Sequence, residues 1–160
     1  MSDSSNSDSA GVRIFPPAVF LGGLLVGYVL HWFWPVPIAS PAWSLVVRIV
    51  GIAIALLGFA IMFAALAAFQ RAGTPPAPWE PTTKLTFEGP YRFTRNPMYF
   101  GMGLILGGLA LAGNALWPLI ALVPVIAIIR TQVIAREEHY LSIKFGEAYR
   151  EYKARVRRWI

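Results

Sequence analysis

The chain contains no cysteine, which removes disulfides, thiolate metal sites and a cysteine nucleophile at once. Acidic residues are scarce too, with eight Asp and Glu against fourteen Lys and Arg, for a formal net charge of +6. Such an excess can belong to nucleic-acid binding, but here the cations flank apolar segments in the manner of membrane topology, and no nucleic-acid partner is expected. Only two histidines occur, and no metal site is expected. The N-terminal stretch MSDSSNSDSAG is rich in Ser and Asp and lacks the basic start of a secretory signal. Residues 1–12 therefore read as a short disordered tail with nothing cleaved.

What the chain has in quantity is apolar side chain, 56% of its 160 residues. A spanning helix needs roughly 20 mostly apolar residues, and four stretches qualify, giving an all-α integral membrane protein. The first runs from about Phe15 to Trp34 and is stopped by Pro35, Pro37 and Pro41. The second, about Ala42 to Phe69, carries Gly51, Ala55 and Gly58, small residues that permit close helix contact. Residues 13–69 thus form one unit of two transmembrane helices. Residues 70–160 form a second unit, opening with a proline-rich loop from Gln70 to Asn96. The third span starts at Pro97, suited to a first helical turn, and ends near Gly113. Asn114 turns the chain, and a fourth span from Leu116 to about Ala135 follows so closely that the last two make an antiparallel hairpin. Beyond Arg136 the pattern becomes charged and amphipathic, predicting a helix lying on the membrane surface with a break at Gly146.

The cations orient this bundle. Of the fourteen Lys and Arg, only Arg48 falls away from the N-terminal flank, the long loop and the C-terminal stretch. Both termini and the long loop are expected to be cytoplasmic, in an inner or cell membrane if the source is bacterial. The same topology gathers the polar residues: the hairpin brings Asn96 to Tyr99 at its start and Glu137 at its end to one membrane depth.

The run Gly89-Pro-Tyr-Arg-Phe-Thr-Arg-Asn-Pro-Met-Tyr-Phe-Gly101, followed by Arg136-Glu-Glu-His-Tyr-Leu141 and Phe145-Gly-Glu-Ala-Tyr-Arg-Glu-Tyr152, resembles the isoprenylcysteine carboxyl methyltransferase and phospholipid methyltransferase superfamily. The resemblance covers about residues 70–160. It implies an S-adenosylmethionine-dependent methyltransferase in the lipid bilayer that acts on a lipophilic small molecule or a lipid. By that resemblance Tyr91, Asn96, Pro97, Met98, Tyr99, Gly101 and Glu137 line the cofactor site, Lys84, Leu85 and Thr86 close over the adenosine, and Glu138 and Arg95 stand at the reacting groups. The residue types suit the ligand. A carboxylate at a low-dielectric edge attracts a sulfonium or ammonium, tyrosine faces stack on adenine and attract cations, and the start of the third span with Arg92 or Arg95 can take a carboxylate. Glu138, His139 and Tyr99 are the groups able to accept a proton.

Each feature also has a plainer reading. The Glu137-Glu138 pair can be a solvated helix end, the arginines topology anchors, the tyrosines an interfacial belt, and Gly101, Gly103, Gly107 and Gly108 a helix-contact face. His31, beside Trp32 and Trp34, reads as an idle interfacial residue. The opposing functional class is a small non-catalytic membrane scaffold or a transporter component; a transporter would call for ionisable residues at mid-membrane, where the spans have essentially none.

Overall fold

The computed structural model describes residues 9–160. Its elements are α1 (Pro16–Phe33), α2 (Pro41–Ala72), a single 3₁₀ turn (Gly89–Arg92), α3 (Pro97–Ala112), α4 (Leu116–Ile128), a π-helical segment (Ile129–Ile134) and α5 (Ala135–Arg155). Among the described residues there is no strand, only an isolated bridge between Pro37 and Ala115. Three helical runs are long and apolar enough to cross a membrane: α1, α2 and the continuous rod that begins with α4. The expected third span, α3, is a shorter apolar helix of 16 residues.

α3 nonetheless runs beside α2 along its full length. A Cβ added at Gly51 would fall 2.4 Å from Ala112 N, one at Gly108 2.5 Å from Ala55 N, and one at Gly58 2.6 Å from Gly101 O. The partners descend on α3 as they ascend on α2, so the pair is antiparallel with its backbones in contact, and only small residues allow such an approach. α1 lies against α4 in the same way, Gly27 meeting Pro118. The two short connections are tied together at one end of the bundle. Asn114, at positive φ, accepts hydrogen bonds at Oδ1 from Ile38 N (3.1 Å) and Ala39 N (2.9 Å) and donates from Nδ2 to Ala39 O. With both turns at that end, the long loop, the start of α3 and the end of the fourth span must share the other.

Two sequence expectations change. Residues 1–8 of the expected tail lie outside the described residues, whereas Val12 is buried among Phe20, Tyr99, Val133 and Ile134, with Ala10 packed beside it. The amphipathic stretch after Arg136 does not start a separate helix, because the rod from Leu116 runs through the π segment straight into α5. The break falls at Gly146 (φ 53°, ψ −120°), a conformation that glycine alone adopts easily.

The helix contact is directly testable. Gly58→Leu or Gly108→Leu is expected to force α2 and α3 apart at a cost of about 1–3 kcal/mol, seen as a lower Tm in detergent. Gly22→Leu on α1, where nothing lies within 4 Å, should leave Tm unchanged.

Candidate active site

The π segment determines which way the acidic pair points. Buried positions along the rod step in fours through Val125, Ile129 and Val133, then jump to Ile134 and Glu138. One extra residue in a helical turn rotates everything after it by about 100°. Without that rotation Glu137 would continue the inward series and Glu138 would turn away from the bundle; with it, both carboxylates reach one cavity.

Glu137 closes the hairpin. The Tyr99 hydroxyl donates to Glu137 Oε1 at 2.7 Å, joining the first turn of α3 to a point just past the fourth span. Glu137 is beyond the apolar part of the rod, and burial pushes its carboxyl up to about 7, opposed by the Tyr99 hydrogen bond and reinforced by the nearby negative charge of Glu138.

Glu138 sits in a cluster of cations. Arg158 grips it with two hydrogen bonds, Nε to Oε1 at 3.0 Å and Nη2 to Oε2 at 2.5 Å, while Lys153 Nζ stands 3.8 Å from Oε2 and Arg95 Nη1 3.3 Å from Oε1. Burial alone would raise this carboxyl, but the Arg158 hydrogen bonds and the charges of Arg95, Arg158 and Lys153 outweigh it and hold it below the usual value. Arg95 is left incompletely used. Its Nη1, though near Glu138, is not aligned for a hydrogen bond, and buried Nε and Nη1 have no hydrogen-bond partner among the described residues.

The C-terminal strap reaches this point by pairing with the segment before α3. Arg95 N donates to Arg157 O (3.0 Å), and Thr94 Oγ1 (2.9 Å) and Asn96 Nδ2 (3.0 Å) both donate to Arg158 O. Trp159 packs against the buried cluster around Tyr99. The kink at Gly146 turns the rest of α5 back, so that Tyr152 Oη donates to Tyr91 O at 2.8 Å. Tyr91 in turn stands edge-on to Phe69, centroids 5.3 Å apart.

These elements enclose a cavity with about 810 Å³ of space unfilled by atoms, its mouth included. Ten of the twelve residues expected at the site line it: Lys84, Leu85, Thr86, Tyr91, Arg95, Asn96, Met98, Tyr99, Glu137 and Glu138. Two do not. Pro97 is wholly buried in the start of α3, and Gly101 faces α2, where an added Cβ would lie 2.7 Å from Gly58 O. Gly101 therefore serves helix contact. His139 lines a different groove with Arg136 and Lys144. Sequence reasoning missed Tyr140, Tyr149 and Tyr152 as walls and Arg158 as the partner of Glu138. The three-to-four spacing of Tyr149 and Tyr152 was visible but read as a surface stripe, and nothing in the order of residues pairs position 158 with 138.

A helical bundle with apolar flanks and a cavity walled by aromatics and opposite charges at one end is the architecture of an integral membrane protein. The sequence model of the phospholipid methyltransferase family matches residues 46–148, from α2 into α5, and the chain belongs to that family, a membrane methyltransferase by class. A Haemophilus influenzae protein described as uncharacterized is 47% identical over 65 residues, the whole of that protein and 39% of this chain. No solved structure matches the chain at a significant level.

The low carboxyl of Glu138 predicts acid sensitivity of the strap. A carboxyl held lower in the folded than in the unfolded chain gives stability that is complete above its ordinary value of 4.5 and is lost as pH falls through the lower folded value. Protection of the Arg95 amide against hydrogen exchange, relative to its intrinsic rate, should drop below about pH 4.5 in the wild type. In Glu138→Gln it should be weaker at neutral pH and show no further acid loss.

Proposed function

We propose that the protein transfers a methyl group from S-adenosylmethionine to a lipophilic or amphiphilic acceptor, in a cavity on the cytoplasmic side of the membrane. The observation that carries this reading is the meeting of opposite charges in one cavity: the Glu137 carboxylate held by Tyr99, and the Arg95 guanidinium, near Glu138 but with Nε and Nη1 making no hydrogen bond. A methionine moiety presents the complement, an ammonium and sulfonium on one side and a carboxylate on the other. A buried guanidinium with open donors is costly unless an anion meets it, so the cavity fits such a zwitterion. The first turn of α3 adds to this: Asn96 makes no side-chain cap there, its amide being given to Arg158 O, so the free N–H groups of that turn are open to a carboxylate. Tyr91, Tyr149 and Tyr152 supply faces for adenine, and Lys84, Leu85 and Thr86 line the same cavity.

When bound, the cofactor supplies a methyl on a sulfonium that departs as a neutral thioether. The chain's task is to align donor and acceptor and to exclude water, which the apolar walls favour. An acceptor amine or thiol must also lose a proton as its new bond to carbon forms. Of the three groups able to take it, Glu138 is occupied by Arg158 and His139 belongs to another groove, so Tyr99 with Glu137 behind it is the pair we assign. The cytoplasmic placement is supported by the cations, since thirteen of the fourteen Lys and Arg flank the cavity end of the bundle.

Incubating the protein with radiolabelled S-adenosylmethionine and a total membrane lipid extract should label a lipid-soluble fraction; label appearing nowhere above a boiled control would count against the reading. Glu137→Gln is expected to weaken S-adenosylmethionine binding by tenfold or more, of the order of one charge-assisted hydrogen bond. Because the cation favours the ionised carboxylate, wild-type affinity should climb as pH rises through about 7 and then level off, whereas the Glu137→Gln profile should be flat. Isothermal titration from pH 6 to 8 reads both effects.

A further inference from the structure

We propose that Arg158 is a positioning residue for the methyl donor: by holding the Glu138 carboxylate, it keeps that carboxylate from closing onto Arg95 and leaves the Arg95 guanidinium open to the donor's own carboxylate. The inference rests on the reading of the cavity as an S-adenosylmethionine site. Arg158 lies beyond the stretch matched by the family, which stops at residue 148.

The geometry is a competition for one carboxylate. Glu138 has two oxygens, and Arg158 meets each of them with a separate nitrogen in the fork-to-fork arrangement that is strongest for this pair of groups. Arg95 stands at 3.3 Å on the remaining side, near enough to attract yet unaligned, and its Nε and Nη1 are both buried without a hydrogen bond. Arginine does not lose its proton in a protein, so Arg95 cannot relieve this by becoming neutral. It stays charged beside Glu138 and Tyr149, and its two nitrogens without a hydrogen bond are open to an incoming anion. The charges lean the same way: Arg95, Lys153 and Arg158 all face the single carboxylate of Glu138, and an entering carboxylate can share that cationic side.

Removing the Arg158 side chain takes away the strap's grip on Glu138 but leaves its backbone contacts in place. Its contacts with Thr94, Arg95 and Asn96 are all made through the carbonyls of Arg157 and Arg158, and Trp159 packs independently. What changes is the fate of Glu138, which becomes free to take both nitrogens of Arg95.

The test uses two ligands that differ at the relevant end. S-adenosylhomocysteine carries the amino-acid carboxylate; 5′-methylthioadenosine keeps the adenosine and the thioether but lacks the amino-acid moiety. With full-length protein in detergent, Arg158→Ala should weaken S-adenosylhomocysteine by about tenfold or more while changing 5′-methylthioadenosine by less than about twofold, and Arg158→Lys, which keeps the charge but not the fork, should fall between. Adding Glu138→Gln to Arg158→Ala removes the competitor and should restore S-adenosylhomocysteine affinity toward that of the wild type. Equal losses for both ligands, or a double variant no better than Arg158→Ala, would mean that Arg158 only supports the fold and would overturn the inference while leaving the cofactor reading intact. Wild-type protein that binds neither ligand at saturating concentration would overturn the cofactor reading, and this inference with it.

Discussion

Hydrocarbon offers no hydrogen-bond partner and no screening for charge, and every feature of this molecule follows from that constraint. The spans can hold chemistry only at their ends. One end is used for connection: two short turns sealed by Asn114, with no ionisable group in the seal. The other end collects what the spans exclude. The 32 residues of α2, at about 1.5 Å each, exceed the roughly 30 Å of a hydrocarbon core. The surplus carries Ala65, Ala68 and Phe69 up to Tyr91 and Met98, giving the cavity an apolar wall.

The backbone contact between α2 and α3 makes this arrangement rigid enough to hold a site. In lipid, helices are not driven together by the hydrophobic effect, so their association depends on dispersion contacts, which fall away steeply with distance. Gly51, Gly58, Gly101 and Gly108 bring the two backbones within reach, and the first turn of α3 is fixed by that contact. Tyr99 then holds Glu137 from a turn anchored by that contact. A looser pair of helices would let the hydroxyl and the carboxylate drift by more than the length of a hydrogen bond.

Much of this was legible in the residues. The spans announced themselves through apolar runs bounded by Pro35, Pro41 and Asn114, and the hairpin followed from the brevity of the turn, which in turn required Tyr99 and Glu137 to meet. Gly146 was legible as a break because a glycine amid charged helix formers has little other use. What could not be read depends on three-dimensional register. The π segment leaves no compositional trace, since Ile129-Arg-Thr-Gln-Val-Ile134 holds no glycine or proline and reads as ordinary α-helix, yet it decides whether Glu138 faces inward. Gly101 belonged equally to a helix-contact face and to a cofactor site, and only the proximity of Gly58 settles the choice. The pairing of Arg158 with Glu138 depends on a strap folding back across the start of α3, a contact between distant positions that no local pattern encodes.

Adjacent carboxylates with opposite environments are the outcome that matters most for chemistry. Glu137 and Glu138 differ by one position, about 100° around the helix, and that rotation separates a carboxyl raised by burial from one lowered by Arg158, Arg95 and Lys153. A carboxylate gripped by cations is a poor proton acceptor, since protonation would have to break the contacts that hold it. One that is buried with a single tyrosine partner is better placed to take a proton or to receive a cation. The neighbours therefore differ in environment: Glu138 is tied to the strap and the cationic side of the cavity, and Glu137 to Tyr99. The motif that places two glutamates in succession is thus not redundant, because each meets a different wall of the same cavity.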